Sequence, residues 1–349
     1  MNDGRINLLW EDARHALKSV SRESFGDKTA LITGASGLIG SHFLAGLIQL
    51  QREGAFTGVI HAVTRRSVPS FLRELAEQGK VCFHQGGLDD QAFLKSLPVA
   101  DLLVHAATYG QPGMFMAHPQ ITLKLNTVTT FGLLERTQIN GKFLFMSSSE
   151  VYSGLENPPF SEEQIGTTNT THPRACYIEG KRCGEAICDS FRKLGIQAKS
   201  ARLALAYGPG TRPGDKRVLN TFIEKALRQK DIRLLDDGAA RRTYCYIADA
   251  MHMLWLILME GKASVYNVGG VSRTTIAELA HQIGGLTGVP VHIPDSSAGT
   301  VLGAPDDVRV DVSRFENEFG KMTFIPLEQG LKRAIEWQRE SDARDDGMA

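Results

Sequence analysis

The chain has 349 residues, 42% of them hydrophobic, and its 39 basic residues balance 39 acidic ones. That is enough apolar content for a sizeable core in one or two domains, and a net charge of zero imposes no broad basic surface for nucleic acid or lipid. The five cysteines (Cys82, Cys176, Cys183, Cys188, Cys245) show no paired metal-ligand spacing, so no metal site is expected, and an odd count suits a reducing cytoplasm.

Within residues 1–27, Leu8, Leu9, Ala13, Ala16, Leu17 and Val20 approximate one apolar helix face, expected to pack on the body or on a dimer partner. No apolar N-terminal run has the form of a signal peptide. Ala30-Leu31-Ile32 reads as a buried parallel strand. It runs into Gly34-x-x-Gly37-x-x-Gly40, after which Phe43, Leu44, Leu47 and Ile48 recur at helical spacing. Strand, glycine turn and helix are the context of a dinucleotide fingerprint. The glycines permit a tight turn and close approach to a pyrophosphate, which rests on the helix N-terminus. A plain glycine-rich turn between strand and helix would share this pattern.

Met146 to Lys181 carries the chemistry. M-S-S-S-E-V-Y supplies Ser148 and Glu150, and P-R-A-C-Y-I-E-G-K-R supplies Tyr177 and Lys181. Positions i and i+4 lie on one helix face, so Tyr177 and Lys181 can point into one site. An ammonium beside a phenol favours the phenolate, which would make Tyr177 a proton acceptor near neutral pH. Ser148 could bond the same substrate oxygen. An amphipathic helix with an incidental Tyr and Lys is the competing reading.

Strands and helices alternate to about residue 205, which argues for a parallel sheet covered on both faces. Gly210 to Arg217 reads as a loop, followed by a smaller mixed region. The apolar run Met251 to Met259 is too short to cross a bilayer and reads as a buried helix capped by Asp249. The charged tail after Arg339 is expected to fray.

From about Lys28 to Gln338 the chain resembles an extended short-chain dehydrogenase/reductase of the nucleotide-sugar epimerase, dehydratase and decarboxylase group. The spacing Gly34-x-x-Gly37-x-x-Gly40 is the variant that this family uses. Matching segments follow in order: Asp101 to Ala107, His118-Pro119 to Glu135, Arg202 to Pro209, Arg242 to Asp249, Val265 to Gly269 and Pro326 to Trp337. The resemblance implies a Rossmann-type, doubly wound α/β fold. It gives a dinucleotide domain at 28–204 and a mainly substrate-binding region at 205–349, with 240–262 packing back on the first. Residues 1–27 match nothing in the family core.

The resemblance also distributes roles. Gly34, Ser36, Gly37, Leu38, Ile39 and Gly40 would hold the dinucleotide phosphates. Thr64, Arg65, Arg66 and Leu88 would lie at its adenosine end. Ala106, Ala107, Thr108, Asn126, Tyr177 and Lys181 would complete the cofactor site. Thr64 stands where NAD-specific relatives place an Asp, and Arg65 and Arg66 follow, which suits the 2′-phosphate of NADP. Relatives matching the catalytic region hold NAD, and Arg65 could instead stack on adenine. Gly87 replaces the family's adenine-binding Asp.

Ser148, Tyr177 and Lys181 would oxidise the sugar C4 hydroxyl, and Glu150 matches the carboxylate of decarboxylases and some dehydratases. Tyr109, Ser149, Leu205, Arg217 and Arg242 would contact the nucleotide sugar. R-A-C-Y-x-E-G-K-R is nearest to UDP-glucuronate decarboxylases, with 4,6-dehydratase and 4-epimerase as alternatives. Leu205 replaces a substrate-holding Asn, and Thr243 replaces an Asp. A dinucleotide-sensing protein without catalysis is a further alternative, although such proteins typically lose the Tyr-Lys pair. The family pairs two helices per subunit into a four-helix bundle, here 119–138 and 174–194, which implies a homodimer.

Overall fold

The computed structural model describes residues 4–294 and 309–345. The short apolar run Ala30–Thr33 is β1, buried along its whole length as a strand covered on both faces must be. It enters α2 (Leu38–Arg52), preceded in the chain by α1 (Gly4–Ala16). Then follow β2 (Ile60–Thr64), α3 (Ser70–Ala76), β3 (Val81–Gln85), α4 (Gln91–Ser96) and β4 (Ala100–His105). The chain continues as α5 (Pro112–Ala117), α6 (Pro119–Asn126), α7 (Val128–Leu134), β5 (Thr137–Ser148), α8 (Ala175–Arg192) and β6 (Gln197–Leu203). After α9 (Val218–Arg228) and α10 (Ile247–Glu260), the strand Val265–Val268 joins the same sheet beside β6.

The seven strands are all parallel, in the order Val265–Val268, β6, β5, β4, β1, β2, β3. The order reverses between β1 and β4, where an open α/β sheet offers a crevice at its carboxyl edge. Successive strand residues face opposite sides. Ile32 thus joins the core beneath α2 and α10, while Leu31 joins the opposite core with Val63, Leu103 and Leu133.

α10 is apolar on every side and buried from Ile247 to Met259, sandwiched between the sheet and α1. Tyr246 is its N-cap, so Asp249 is not the cap that the sequence implied. Asp249 lies in the first turn, where it accepts bonds from His15 (3.0 Å) and the Ile325 amide (2.8 Å). Leu8, Leu9, Ala13 and Ala16 of α1 are buried against α2 and α10. Leu17 and Val20 are buried too, but they lie beyond the helix end. The C-terminal helix Leu327–Asp345 runs past Arg339, where a frayed tail was expected. Among the described residues no helix is long and apolar enough to cross a membrane.

The segment read as one helix over 119–138 is two short helices broken at Thr127, and the chain is already in β5 from Thr137. The run Thr127-Val128-Thr129-Thr130 is β-branched and resists a continuous helix.

Candidate active site

The glycine turn lies at the sheet's switch point. Gly34 has φ +68°, and a Cβ there would also stand 2.7 Å from the Ala106 carbonyl oxygen at the end of β4. A Cβ on Gly40 would meet the Gly34 carbonyl oxygen at 2.2 Å. Both positions therefore require glycine, as close packing of turn, helix and neighbouring strand demands. Gly37 is the N-cap of α2 and makes no side-chain cap bond, so no capping side chain covers the first amides of this 15-residue helix. Leu38 and Ile39 form its first turn. This cradle fits an anionic cofactor phosphate. Arg212, from the loop after β6, donates to the Ser36 carbonyl (2.8 Å) and to the Ser36 hydroxyl. Burial and the charge of Arg66 both push the Arg212 pKa down, which places two cations beside the turn.

At the end of β2, Thr64 is buried and its hydroxyl donates to the Arg66 carbonyl (3.0 Å), so its one hydrogen is already used. Arg65 and Arg66 are exposed. Arg65 donates to the Tyr109 hydroxyl and lies over the Tyr109 ring, while that ring also packs against His118. Tyr109 is thus grouped with the end of β2. A Cβ on Gly87 would come within 2.7 Å of Asp89 Oδ1. A carboxylate consequently occupies the neighbourhood of the missing family Asp, supplied from two residues downstream. Leu88 is buried, its carbonyl accepting from Thr129 (2.9 Å). Ala106, Ala107 and Thr108 follow β4, half-buried. Asn126 is fully buried; its amide donates to the Thr122 carbonyl (2.8 Å), and its Oδ1 has no protein partner.

Tyr177 and Lys181 share the face of α8 that covers the end of β5. The Ser148 hydroxyl lies close enough to the Tyr177 hydroxyl to favour its ionised form. Ser148 Oγ also accepts from the Glu150 amide (3.2 Å), so the turn Ser149–Tyr152 fixes its direction. Phe115 of α5 stacks on the Tyr177 ring, with centroids 4.4 Å apart and planes 9° from parallel. Lys181 donates to the Met146 carbonyl, its ammonium 5.5 Å from the centre of the Tyr177 ring. One turn further along α8, Glu185 pairs with Arg202 of β6 (2.8 Å) in a buried salt bridge that ties the helix to the sheet.

Arg174, the N-cap residue of α8, pairs with Glu150 at 2.8 Å and lies over Phe115. Burial raises the Glu150 pKa, and the charges of Arg174, His172 and Arg242 oppose it. Arg217 pairs with Asp215 (2.7 Å), and its charge reaches Tyr177. Arg242 and Leu205 are half-buried on short strands, with Leu205 opposite Tyr244.

One sequence expectation is corrected here. Tyr177 does not have a lowered pKa: burial pushes it up to about 12, with the neighbouring Ser148 hydroxyl opposing and the Glu150 carboxylate adding to the rise. Lys181 is itself driven down by burial to about 7. Desolvation outweighs the attraction that helical spacing implied. Arg174, Phe115, Asp89 and Arg212 were given no role from sequence. Arg174 stands inside the R-A-C-Y string and was the one with a signal to find; the others depend on tertiary placement.

The site can be set beside known proteins. Residues 30–269 match the NAD dependent epimerase/dehydratase family. The chain is 29% identical over 315 residues to UDP-glucuronic acid decarboxylase 1 of Xenopus tropicalis, spanning 90% of this chain and 72% of that protein. It is 27% identical over 306 residues to UDP-glucuronic acid decarboxylase 6 of Arabidopsis thaliana, spanning 86% of each. Among solved structures, the fold is similar to that of UDP-glucuronic acid 4-epimerase from Bacillus cereus in complex with UDP-glucuronic acid and NAD. That likeness has a TM-score of 0.75 at 22% identity and covers 90% of this chain and 99% of that one. With the family match extending from β1 through the strand Val265–Val268, the chain belongs to the NAD dependent epimerase/dehydratase family.

Proposed function

We propose that this enzyme binds NADP or NAD along the carboxyl ends of β1, β2 and β4, oxidises C4 of a nucleotide sugar, and decarboxylates UDP-glucuronate. The observation that carries the reading is the grouping of Ser148, Glu150 and Tyr177 with Arg174, while the charges of Arg217 and Arg242 reach the same cluster. Guanidinium groups suit an acidic sugar carrying a pyrophosphate. The relatives named above that are decarboxylases favour the same substrate.

The bound nicotinamide supplies the hydride acceptor. Tyr177 takes the C4 hydroxyl proton, with Ser148 holding the same oxygen. Lys181 holds the nicotinamide ribose. A C4 ketone makes the sugar a β-keto acid, which loses carbon dioxide and leaves an enolate; protonation at C5 gives a 4-keto pentose, whose C4 then regains the hydride while its oxygen takes back the proton from Tyr177. Glu150, held by Arg174, faces this part of the cluster. Incubation with UDP-glucuronate should release carbon dioxide and give a UDP-pentose. Turnover of a neutral hexose nucleotide to a 4-keto-6-deoxy product or to its C4 epimer, with none of UDP-glucuronate, would instead select a dehydratase or an epimerase.

Arg212 bonds Ser36 of the glycine turn with the charge of Arg66 nearby, and Arg65 directly follows β2. This favours NADP. A charge-assisted bond contributes about 1.5–3 kcal/mol, so NADP should bind roughly tenfold or more tightly than NAD. Joint replacement of Arg65 and Arg66 by Ala should remove that preference and leave NAD affinity nearly unchanged. Equal wild-type affinities would show that the arginines serve another purpose.

We also propose a homodimer through α6, α7 and α8. Leu125 and Phe191 turn into the subunit's own core, whereas Leu123, Val128, Phe131 and Leu194 are 40–64% exposed. Apolar groups exposed along helices in this way fit a partner helix face. Light scattering at micromolar concentration should give a dimer, and Val128→Glu with Phe131→Glu should give a monomer. A monomeric wild type would end this proposal. Free cysteines at all five positions suit a cytoplasmic setting.

A further inference from the structure

The sheet edge opposite the substrate region carries a cluster that the reaction does not use. His61 of β2 lies directly across from Cys82 of β3, and His84 follows two residues along the same strand. With a period of two, all three side chains share one face of the sheet. β3 is the edge strand, so this face is open on one side. His61 Nδ1 and His84 Nε2 are 2.9 Å apart, with ring centroids at 5.1 Å. Cys82 Sγ and these nitrogens all lie within 4.8 Å of one another.

We propose that His61, Cys82 and His84 bind one divalent transition-metal ion of borderline softness, with zinc as the reference ion and water as fourth ligand. Two imidazole nitrogens and a thiolate are the donor set such an ion prefers. Partial burial lowers the pKa of both histidines, in the direction of the uncharged imidazole that a metal needs. Their nitrogen-to-nitrogen contact uses one N–H and one lone pair. On binding, the donor imidazole moves its proton to its other nitrogen, and Cys82 releases its thiol proton. Tetrahedral zinc with ordinary bond lengths needs nitrogens about 3.3 Å apart and sulfur about 3.6 Å from each. The imidazoles must part by a few tenths of an ångström, and the exposed Cys82 side chain must swing inward. His61 stands at the second residue of β2, three residues before Thr64, so the metal pins the strand that leads into Arg65 and Arg66 without reaching the catalytic cluster.

The test uses tag-free, full-length protein, stripped with a chelator and titrated with zinc against a chromophoric competitor. One equivalent should bind, and cobalt should give a thiolate-to-cobalt charge-transfer band. Cys82→Ser and His84→Gln should each weaken zinc binding by about tenfold or more, and Cys82→Ser should abolish the cobalt band. Cys183→Ser, which removes another exposed thiol, should change neither. Turnover should be intact in all three variants. Absence of zinc binding, or binding unchanged by Cys82→Ser and His84→Gln, would overturn the assignment.

Discussion

Tyr177→Phe is expected to lower turnover by about 10³-fold while dinucleotide affinity changes by less than about twofold. The substitution removes one oxygen and keeps the ring, which is stacked on Phe115 and buried. Packing is therefore preserved, and the loss falls on proton transfer. The remaining hydroxyl, Ser148, has its oxygen already directed by the Glu150 amide and is a far weaker acceptor. The pH profile gives a second readout. Burial raises the Tyr177 pKa from 10.0 to about 12, so the phenolate is the minor species at neutral pH. Its population rises tenfold per unit of pH below that value. Wild-type turnover should therefore climb from pH 7 to pH 9, helped by the nearby positive charges of Arg174 and Arg217. The Tyr177→Phe residual rate should be flat over the same range. A variant retaining more than about a tenth of wild-type turnover would remove Tyr177 from the chemistry.

The parts of this site that were legible in the sequence are those whose physics is local. A strand running into Gly34, Gly37 and Gly40 and then into a helix can form only a few structures; the positive φ of Gly34 and the contact of Gly40 with the Gly34 carbonyl belong to the turn itself. Tyr177 and Lys181 share a helix face because of their spacing. What spacing could not convey is where each charged group ends. Lys181 reaches back to the Met146 carbonyl, and desolvation governs both it and Tyr177. Arg174 pairs with a carboxylate that precedes it by 24 residues. Arg212 reaches Ser36 from 176 residues further along the chain. The His61, Cys82 and His84 grouping depends on the register of two parallel strands, which no linear motif encodes.

Lys181→Met is expected to destroy turnover and at the same time to stabilise the cofactor-free protein at low pH. Burial depresses the Lys181 pKa from 10.5 to about 7. A base with a depressed folded pKa binds fewer protons in the folded state than in the unfolded one across the window between those values. Stability therefore rises with pH from about 7 to about 10.5, and the cost of burying the charge is fully present below about 7. That cost is at most about 5 kcal/mol at 1.36 kcal/mol per pH unit. Methionine keeps the stem and removes the charge, but it leaves the Met146 carbonyl without its lysine donor, a loss of about 1–3 kcal/mol. The net gain at pH 6 should be at most about 2–4 kcal/mol and should shrink towards zero by pH 9. In a chain of this length that is a rise of a few degrees in Tm. Turnover should fall by about 100-fold or more, because the substitution removes the ammonium proposed to hold the nicotinamide ribose. Scanning calorimetry of stripped wild type and variant at pH 6 and pH 9 separates the outcomes. A variant less stable than wild type at pH 6 would mean that Lys181 is a net structural asset, held by its hydrogen bond. A more stable and inactive variant would mean that its buried charge is kept for function at the expense of the fold.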